Sequence, residues 1–235
     1  MFHNDETNVV VVDILRATSA ICTAFMNGVE RIIPVATLEE AKEYKKKGYM
    51  VAAERDGIVR DFADFGNSPY NFKPELIKGK DIVYSTTNGT NAIKMAEKSN
   101  MVTIGAYLNI TALANFLIEQ QRDVVILCAG WKERFNLEDS VFAGALSMKL
   151  MESEMFDTIC DSTLGAMDLW SIARNDLSGY TNKVAQKTRL SLNGLDDVIE
   201  YCLKSDLTNL IPVLKDDYLT TVNRLVETEI SSEKN

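Results

Sequence analysis

Short apolar runs rich in β-branched residues recur along the first half of the chain, and they constrain the fold more than any other feature. The runs are VVVVDI at 9–14, RIIPV at 31–35, YMVAA at 49–53, DIVYS at 81–85, MVTIG at 101–105 and DVVILCA at 123–129. Runs of this length are typical of strands that are buried on both faces of a sheet. Between and after them lie helix-like stretches, at about 18–27, 38–47, 90–98, 110–121 and 138–152.

Strands that alternate with helices predict an α/β fold, with three α/β/α layers around a largely parallel or mixed sheet. From about residue 160 the pattern becomes mostly helical, and it ends in an extended piece near LIPVL at 210–214 and a polar tail. The 235 residues are 46% hydrophobic and 25% charged, which provides enough apolar material for one full-sized core. Because the chain has four prolines and no flexible linker, we expect a single domain over 1–235.

The histidine and cysteine content excludes several kinds of site. The only histidine is His3, so a Ser-His-Asp triad and an HExxH zinc site both lack their central residue. The four cysteines, Cys22, Cys128, Cys160 and Cys202, are too widely spaced for a CxxC pair or a zinc knuckle. We therefore expect them to be small core residues and not a disulfide framework.

The charge balance narrows the range of partners. The chain has 34 acidic and 25 basic side chains and a net charge of −9, which disfavours nucleic acid because such partners need a basic face. A small anionic ligand would need a local group of arginines, backbone amides or a bound cation. No basic region precedes an apolar stretch at the N-terminus, and no apolar run approaches the roughly 18 residues of a membrane span. We expect a cytoplasmic protein with no membrane partner.

Ligands of open α/β sheets bind beyond the carboxyl ends of strands, so the residues after each run are candidates for a site. After the first run, DILRATS places Asp13 at the strand end and Arg16 three residues later. Asp13 could serve as a metal ligand or a nucleophile, and Arg16 could hold a phosphoryl group through two hydrogen bonds. The alternative is an Asp13 that only caps the next helix. Leu15 stands where haloacid dehalogenase phosphatases carry a second aspartate, which excludes that class.

Two further segments follow strands and offer hydrogen-bond donors. The third run leads into Glu54 and Arg55 and then to a turn in which Asn67 and Ser68 could bind an oxyanion, although this segment alone also fits an ordinary turn and a surface ion pair. The fourth run leads into STTNGTNAI, whose loop consists of Thr86, Thr87, Asn88, Gly89 and Thr90. Hydroxyls, a glycine turn and the amides of a helix N-terminus together predict a phosphate cradle. The alternative is that these side chains merely cap the helix.

The segment after the last run, CAGWKERFNLEDS, opens a helix with Glu138 and Asp139. Adjacent acids at a helix start are either partners of the helix dipole or ligands to a hard cation such as Mg²⁺. Cys128 and Arg134 in the same segment also have the spacing of cysteine-dependent phosphatases. Phe135 stands where those enzymes carry a serine or threonine, so the motif is incomplete.

In this order, VVVVDILRATSAICTAFMNG, the AAER and GNSP segments, TTNGTNAI and LEDSVFAGAL resemble the 2-phosphosulfolactate phosphatase family. The resemblance implies an α/β, Mg²⁺-dependent acid phosphatase that hydrolyses (R)-2-phospho-3-sulfolactate to 3-sulfolactate and phosphate, on the route to coenzyme M. Family members usually have more residues before the first strand, so we expect that an N-terminal strand is shortened or missing here. The chain departs from the family at Ala53, commonly a glycine, and at Asp64 and Phe65, where GFD is common.

A substrate that carries phosphate, sulfonate and carboxylate would require Arg16, Arg55, the 86–90 loop and Mg²⁺ at one place. Our hypothesis places Mg²⁺ on Asp13 together with Glu138, Asp139 or Glu54, where it bridges a phosphoryl oxygen. The attacking group is either water or Asp13, and the sequence does not choose between them. The predicted partner is a small anionic phosphorylated hydroxy acid.

Two other functions stay open at this point. One is a cysteine-dependent phosphatase that uses Cys128 and Arg134. The other is a non-enzymatic module that binds a phosphorylated metabolite through the 86–90 loop, which the acids beside the arginines argue against because anion binding gains nothing from nearby carboxylates. Apolar helix faces are compatible with a homodimer.

Overall fold

The computed structural model describes residues 6–132, 134–192, 194 and 196–232. Its strands are β1 (Asn8–Val12), β2 (Arg31–Pro34), β3 (Met50–Arg55), β4 (Ile58–Val59), β5 (Asp81–Ser85), β6 (Met101–Gly105), β7 (Val124–Cys128), β8 (Pro212–Lys215) and β9 (Tyr218–Thr221). Its helices are α1 (Ala17–Met26), α2 (Leu38–Lys46), α3 (Pro74–Ile77), α4 (Gly89–Ala96), α5 (Ile110–Gln120), α6 (Leu137–Met151), α7 (Asp161–Ala173), α8 (Leu177–Thr181), α9 (Ala185–Ser191), α10 (Asp196–Cys202) and α11 (Val222–Ser232). Short 3₁₀ helices cover Pro69–Asn71 and Tyr107–Asn109.

One mixed sheet contains all of these strands, in the order β4-β3-β5-β2-β9-β8-β6-β1-β7. Two parallel blocks, β3-β5-β2 and β6-β1-β7, are joined through the antiparallel hairpin β8-β9. The predicted three-layer α/β/α class with a largely parallel or mixed sheet is confirmed. All six strands and five helices expected in the first two thirds of the chain are present, with ends that differ by at most two residues.

The central hairpin changes how the two blocks are oriented. β2 is antiparallel to β9, β9 to β8, and β8 to β6, so the parallel blocks run in opposite directions along the sheet. In a flat sheet the carboxyl ends of β1 and β5 would therefore lie on opposite edges. The helices that follow these two strands nevertheless touch: a Cβ built on Gly89 at the start of α4 would lie 2.6 Å from the Cβ of Ala17 at the start of α1. The sheet is not flat, since neighbouring strands rotate by roughly 20° and this twist accumulates across the strands between β1 and β5.

Helix α1 is the centre of the core. It is buried at every residue from Ala17 to Phe25, and the valines of β1 have no exposed surface. A helix that is apolar all round requires neighbours on every side. α1 packs against β1, β6, α4 and the 3₁₀ turn at Pro69–Asn71, so the loop that precedes it is held from several directions. Among the described residues, no helix is both long enough and apolar enough to cross a bilayer.

Gly144 marks a close contact between α6 and α7. A Cβ on Gly144 would collide with the carbonyl oxygen of Ala166, whereas a Cβ on Gly165 would meet nothing within 4 Å. We expect Gly144→Ala to lower the free energy of unfolding by about 1–3 kcal/mol through overpacking. Gly165→Ala should raise it by roughly 0.5–1 kcal/mol because alanine is the better helix former. Urea denaturation of both variants provides the measurement, and equal effects would contradict the close contact.

Candidate active site

The turn between β1 and α1 carries Asp13 and Arg16. The amide of Thr18 donates to the Asp13 carbonyl at 2.9 Å, and the amide of Ala17 donates to Asp13 Oδ1 at 3.3 Å. The Asp13 amide in turn donates to Thr18 Oγ1 at 3.1 Å. These bonds fix the carboxylate at the start of the central helix, so the capping role and a functional role are compatible.

Asp13 lies in surroundings that disfavour its charge. Burial raises the pKa of Asp13 to about 7, and the nearby carboxylates of Glu54 and Glu138 add to the rise. The Ala17 amide and the Arg16 guanidinium oppose it. Like charges gathered with little solvent repel one another strongly, and a bound cation would relieve that repulsion.

Asp139 connects two loops through its buried carboxylate, which has no exposed surface. Oδ1 accepts from the Ile14 amide at 2.8 Å, and Oδ2 accepts from the Gly130 amide at 3.2 Å and from Asn136 Nδ2 at 2.8 Å. Asp139 therefore fixes the β1–α1 turn against the β7–α6 loop. These bonds account for its place in the fold, and direct metal ligation by Asp139 stays a prediction.

Glu54 performs a similar task for the loop after β5. Its side chain is 4% exposed, and Oε2 accepts from the Gly57 amide at 2.7 Å. Oε1 accepts from both the amide and the hydroxyl of Thr87, at 2.8 and 3.1 Å. Glu54 therefore holds the start of the 86–90 loop, while its charge still acts on Asp13.

The hydroxyls of the 86–90 loop are used within the protein. Thr90 donates from its amide to Thr86 Oγ1 at 3.2 Å and from its hydroxyl to the Thr86 carbonyl at 3.1 Å. Asn88 Oδ1 accepts from the Lys132 amide at 3.0 Å. The amides of Asn88 and Gly89, at the helix start where no intrahelical acceptor is available, make no hydrogen bond to another described residue. Of the two kinds of donor predicted here, the hydroxyls of Thr87 and Thr90 donate within the protein and these amides do not, while anion binding by the loop stays a prediction.

Arg16 is the least satisfied charged group in this part of the molecule. The residue is 5% exposed, Nη2 donates to Asn67 Oδ1 at 2.8 Å, and Nε is buried without a partner. Within the described part of the chain, none of the ion pairs involves Arg16. Burial lowers its pKa, the mark of a cation held out of water. A guanidinium in this state is prepared for an anionic ligand.

The remaining predicted binding residues support their neighbours. Asn67 orients Arg16 through the bond above, and the Ser68 amide donates to Asn71 Oδ1 at 3.3 Å. Arg55 donates to the carbonyls of Glu54 and Ala36, at 2.7 and 2.9 Å, and to Ser85 Oγ at 3.0 Å. The Arg55 guanidinium thus joins the ends of β3 and β5 to the segment after β2. Direct substrate contacts by these residues stay predictions.

The environment of Cys128 disfavours the cysteine alternative. Burial raises the pKa of the Cys128 thiol, and the charges of Asp139 and Glu138 raise it further. A cysteine nucleophile needs the opposite, a depressed pKa beside positive charge. Arg134 pairs through its backbone with Trp131, which closes the loop as a tight turn.

Helix α9 contributes residues that the sequence interpretation did not include. Gln186 Nε2 donates to the Leu15 carbonyl at 3.1 Å, and Gln186 Oε1 accepts from Arg189 Nε at 2.6 Å. The Arg189 guanidinium lies 4.1 Å from the centre of the Trp131 ring. No motif marks α9 in the sequence, because its contribution depends only on how the helical C-terminal third packs against the strand ends.

A neutral residue at position 13 should stabilise the protein. The folded-state pKa of Asp13, about 7, lies above the usual 3.8, so the folded state holds this proton more tightly than the unfolded state does. The resulting penalty is present above pH 7 and absent below about pH 4. Without divalent cations, Asp13→Asn should raise the free energy of unfolding by about 1–3 kcal/mol at pH 8 and by less at pH 5. Denaturant unfolding at both pH values provides the test, and a loss of stability at pH 8 would refute it.

The same substitution at Asp139 should have the opposite sign. In Asp139→Asn the new amide group must point at donors, either at the Ile14 amide or at the Gly130 and Asn136 pair. Burial and the charges of Asp13 and Glu138 raise the pKa of Asp139 well above its usual range, so the substitution also removes a buried charge at high pH. At pH 5, where this relief is smaller, an unsatisfied buried group costs about 1–3 kcal/mol, and the free energy of unfolding should fall by that amount. Asp13→Asn is the matched control. Unchanged stability of Asp139→Asn would show that the hydrogen bonds do not brace the loops.

Comparisons with known proteins agree on one family. The family model described as 2-phosphosulpholactate phosphatase matches residues 2–217. A probable 2-phosphosulfolactate phosphatase of Caldanaerobacter subterraneus subsp. tengcongensis is 36% identical over 220 residues, 92% of this chain and 91% of that relative. Relatives with the same name from Clostridium acetobutylicum and Thermotoga maritima are each 36% identical, over 86% and 87% of this chain and 87% and 88% of their own lengths. The chain belongs to the 2-phosphosulfolactate phosphatase family.

Proposed function

We propose that this protein is a phosphoric monoester hydrolase that releases phosphate from 2-phospho-3-sulfolactate in a Mg²⁺-dependent reaction. Arg16 is the observation that carries the proposal. The residue is 5% exposed, and its Nε has no hydrogen-bond partner. Its charge acts on the carboxylate of Asp13, which lies against the start of α4. A phosphoryl group has the charge and the acceptor oxygens that such a guanidinium lacks.

The phosphoryl group would be bound from two sides. Arg16, oriented by Asn67, would donate to one side, and the amides of Asn88 and Gly89 would donate to the other. Gly89 lets the start of α4 pack against Asp13 and α1, since a Cβ there would lie 3.1 Å from Asp13 Oδ2 and 2.6 Å from Ala17 Cβ. These groups neutralise charge that develops on the oxygens as the phosphorus–oxygen bond breaks.

The carboxylates at the strand ends fit a magnesium ion. Mg²⁺ in proteins is typically held by one or two carboxylates and by substrate phosphates, with several waters. Asp13 and Glu138 would hold it here, since the hydrogen bonds that they accept come from their own helix starts, whereas Glu54 and Asp139 accept bonds that join separate loops. Because no group of three or more possible ligands is placed to hold a metal among the described residues, the ion would need substrate oxygens and waters to complete its coordination. When bound, Mg²⁺ would polarise a phosphoryl oxygen and offset the charge of the acids.

The cytoplasm would be the place of this reaction, and a small anionic phosphorylated hydroxy acid would be the partner. The net charge of −9 supports the absence of nucleic-acid partners. The apolar helix faces favour a homodimer, which stays a prediction.

Phosphate release from a panel of phosphorylated hydroxy acids tests the proposal. We expect release from 2-phospho-3-sulfolactate that requires Mg²⁺ and stops on addition of EDTA. Arg16→Gln should lower kcat/KM by about 100-fold or more, because a charge-assisted contact to the transition state is lost in a buried site. Arg16→Lys should recover little of this loss, since a lysine cannot reproduce the planar fork of donors.

The outcomes separate the candidate functions. Binding of the phosphorylated acids by calorimetry with no phosphate release would favour a binding module. Full activity in EDTA, or in Asp13→Ala, would refute the metal-centred version. Loss of activity in Cys128→Ser without any metal requirement would restore the cysteine mechanism.

A further inference from the structure

A second arginine, besides Arg16, lies close enough to Glu138 for their charges to interact. Arg189 lies on α9, far in sequence from the strand-end segments, and it is half-buried. Burial raises the pKa of Glu138 and the charge of Arg189 opposes that rise, so the guanidinium of Arg189 acts on Glu138, whereas that of Arg16 acts on Asp13 and Glu54. The site therefore has two cations on different elements, one in the β1–α1 turn and one on α9.

Two contacts hold the Arg189 guanidinium in a defined orientation. Nε donates to Gln186 Oε1 at 2.6 Å, and the planar group stacks at 4.1 Å from the centre of the Trp131 ring. Gln186 is itself anchored by its bond to the Leu15 carbonyl at 3.1 Å, next to Arg16. The orientation of Arg189 is therefore coupled directly to the turn that carries the phosphoryl-binding arginine.

Trp131 connects the same arginine, through the next residue, to the loop that precedes α4. It precedes Lys132, whose amide donates to Asn88 Oδ1 at 3.0 Å and whose ammonium pairs with Asp56 at 2.8 Å. An arginine that is stacked on a ring loses less side-chain freedom when it binds an anion, since its fork of donors is already oriented. Such an arginine is suited to bind a planar or tetrahedral oxyanion through hydrogen bonds, in addition to attracting it by charge.

We propose that Arg189 is a specificity-determining residue that binds the second oxyanion of the substrate, a carboxylate or sulfonate, while Arg16 binds the phosphoryl group. This inference rests on the proposed function. The role of Arg189 is to select phosphomonoesters that carry a further acid group near the ester carbon. Simple alkyl phosphates would use Arg16 and the α4 amides alone.

Steady-state kinetics with three substrates test this role. The substrates are 2-phospho-3-sulfolactate, 2-phospholactate and glycerol 2-phosphate, which carry two, one and no acid groups besides the phosphate. In Arg189→Gln we expect kcat/KM for 2-phospho-3-sulfolactate to fall by about 10- to 100-fold, mainly through KM, and kcat/KM for 2-phospholactate to fall equally if the carboxylate is the group bound and to stay unchanged if it is the sulfonate. For glycerol 2-phosphate the change should be less than about threefold. Arg189→Lys should restore part of the loss.

Arg174→Gln is the matched control, because Arg174 is exposed at the end of α7. It should leave all three substrates unchanged. The drop for 2-phospholactate compared with 2-phospho-3-sulfolactate shows which oxyanion Arg189 contacts. A loss of the same size for all three substrates in Arg189→Gln would overturn the specificity role and leave the proposed phosphatase function intact. A wild-type protein that hydrolyses none of them would overturn the proposed function, and the inference with it.

Discussion

Repulsion between carboxylates is the constraint on which the site depends. Asp13, Glu54, Glu138 and Asp139 come from three different segments, and the fold brings them near enough, with little solvent, for their charges to interact. Burial and mutual repulsion raise the pKa of Asp13 to about 7 and that of Asp139 well above its usual range. The fold tolerates this arrangement because some acids accept hydrogen bonds from backbone amides and because cations can offset the remaining negative charge.

The acids divide into two groups by what their oxygens do. Asp139 and Glu54 accept from amides of the β1–α1 turn, the β7–α6 loop, the β3–β4 turn and the 86–90 loop, so they hold the four loops in register. Asp13 and Glu138 accept hydrogen bonds only from their own helix starts, and they are the acids that we propose as metal ligands. Arg16 and Arg189 provide the positive charge that the chain itself contributes. An acidic protein can thus bind an acidic substrate, since the local sign of charge differs from the overall one.

The sequence predicted the strands and the helices, because buried parallel strands and amphipathic helices have distinct periodicities. The loops that it singled out are joined by hydrogen bonds, and their role as a site stays a prediction. It did not predict that the hairpin β8-β9 separates two oppositely directed parallel blocks. Only LIPVL showed an extended pattern there, and strand order depends on tertiary pairing. Residue roles were less predictable for the same reason: Thr86, Thr90 and Arg55 have suitable chemistry for ligand binding, yet the structure uses their polar groups internally. The contribution of α9 had no local signal.

Calorimetric titration of Mg²⁺, with and without inorganic phosphate, is the sharpest test of the proposed metal site at Asp13. We expect one Mg²⁺ per chain, with an affinity that phosphate increases severalfold because the anion completes the ligand set. Asp13→Asn should abolish this binding while the protein stays folded. Absence of Mg²⁺ binding by the wild-type protein under both conditions, or binding that Asp13→Asn leaves unchanged, would contradict it.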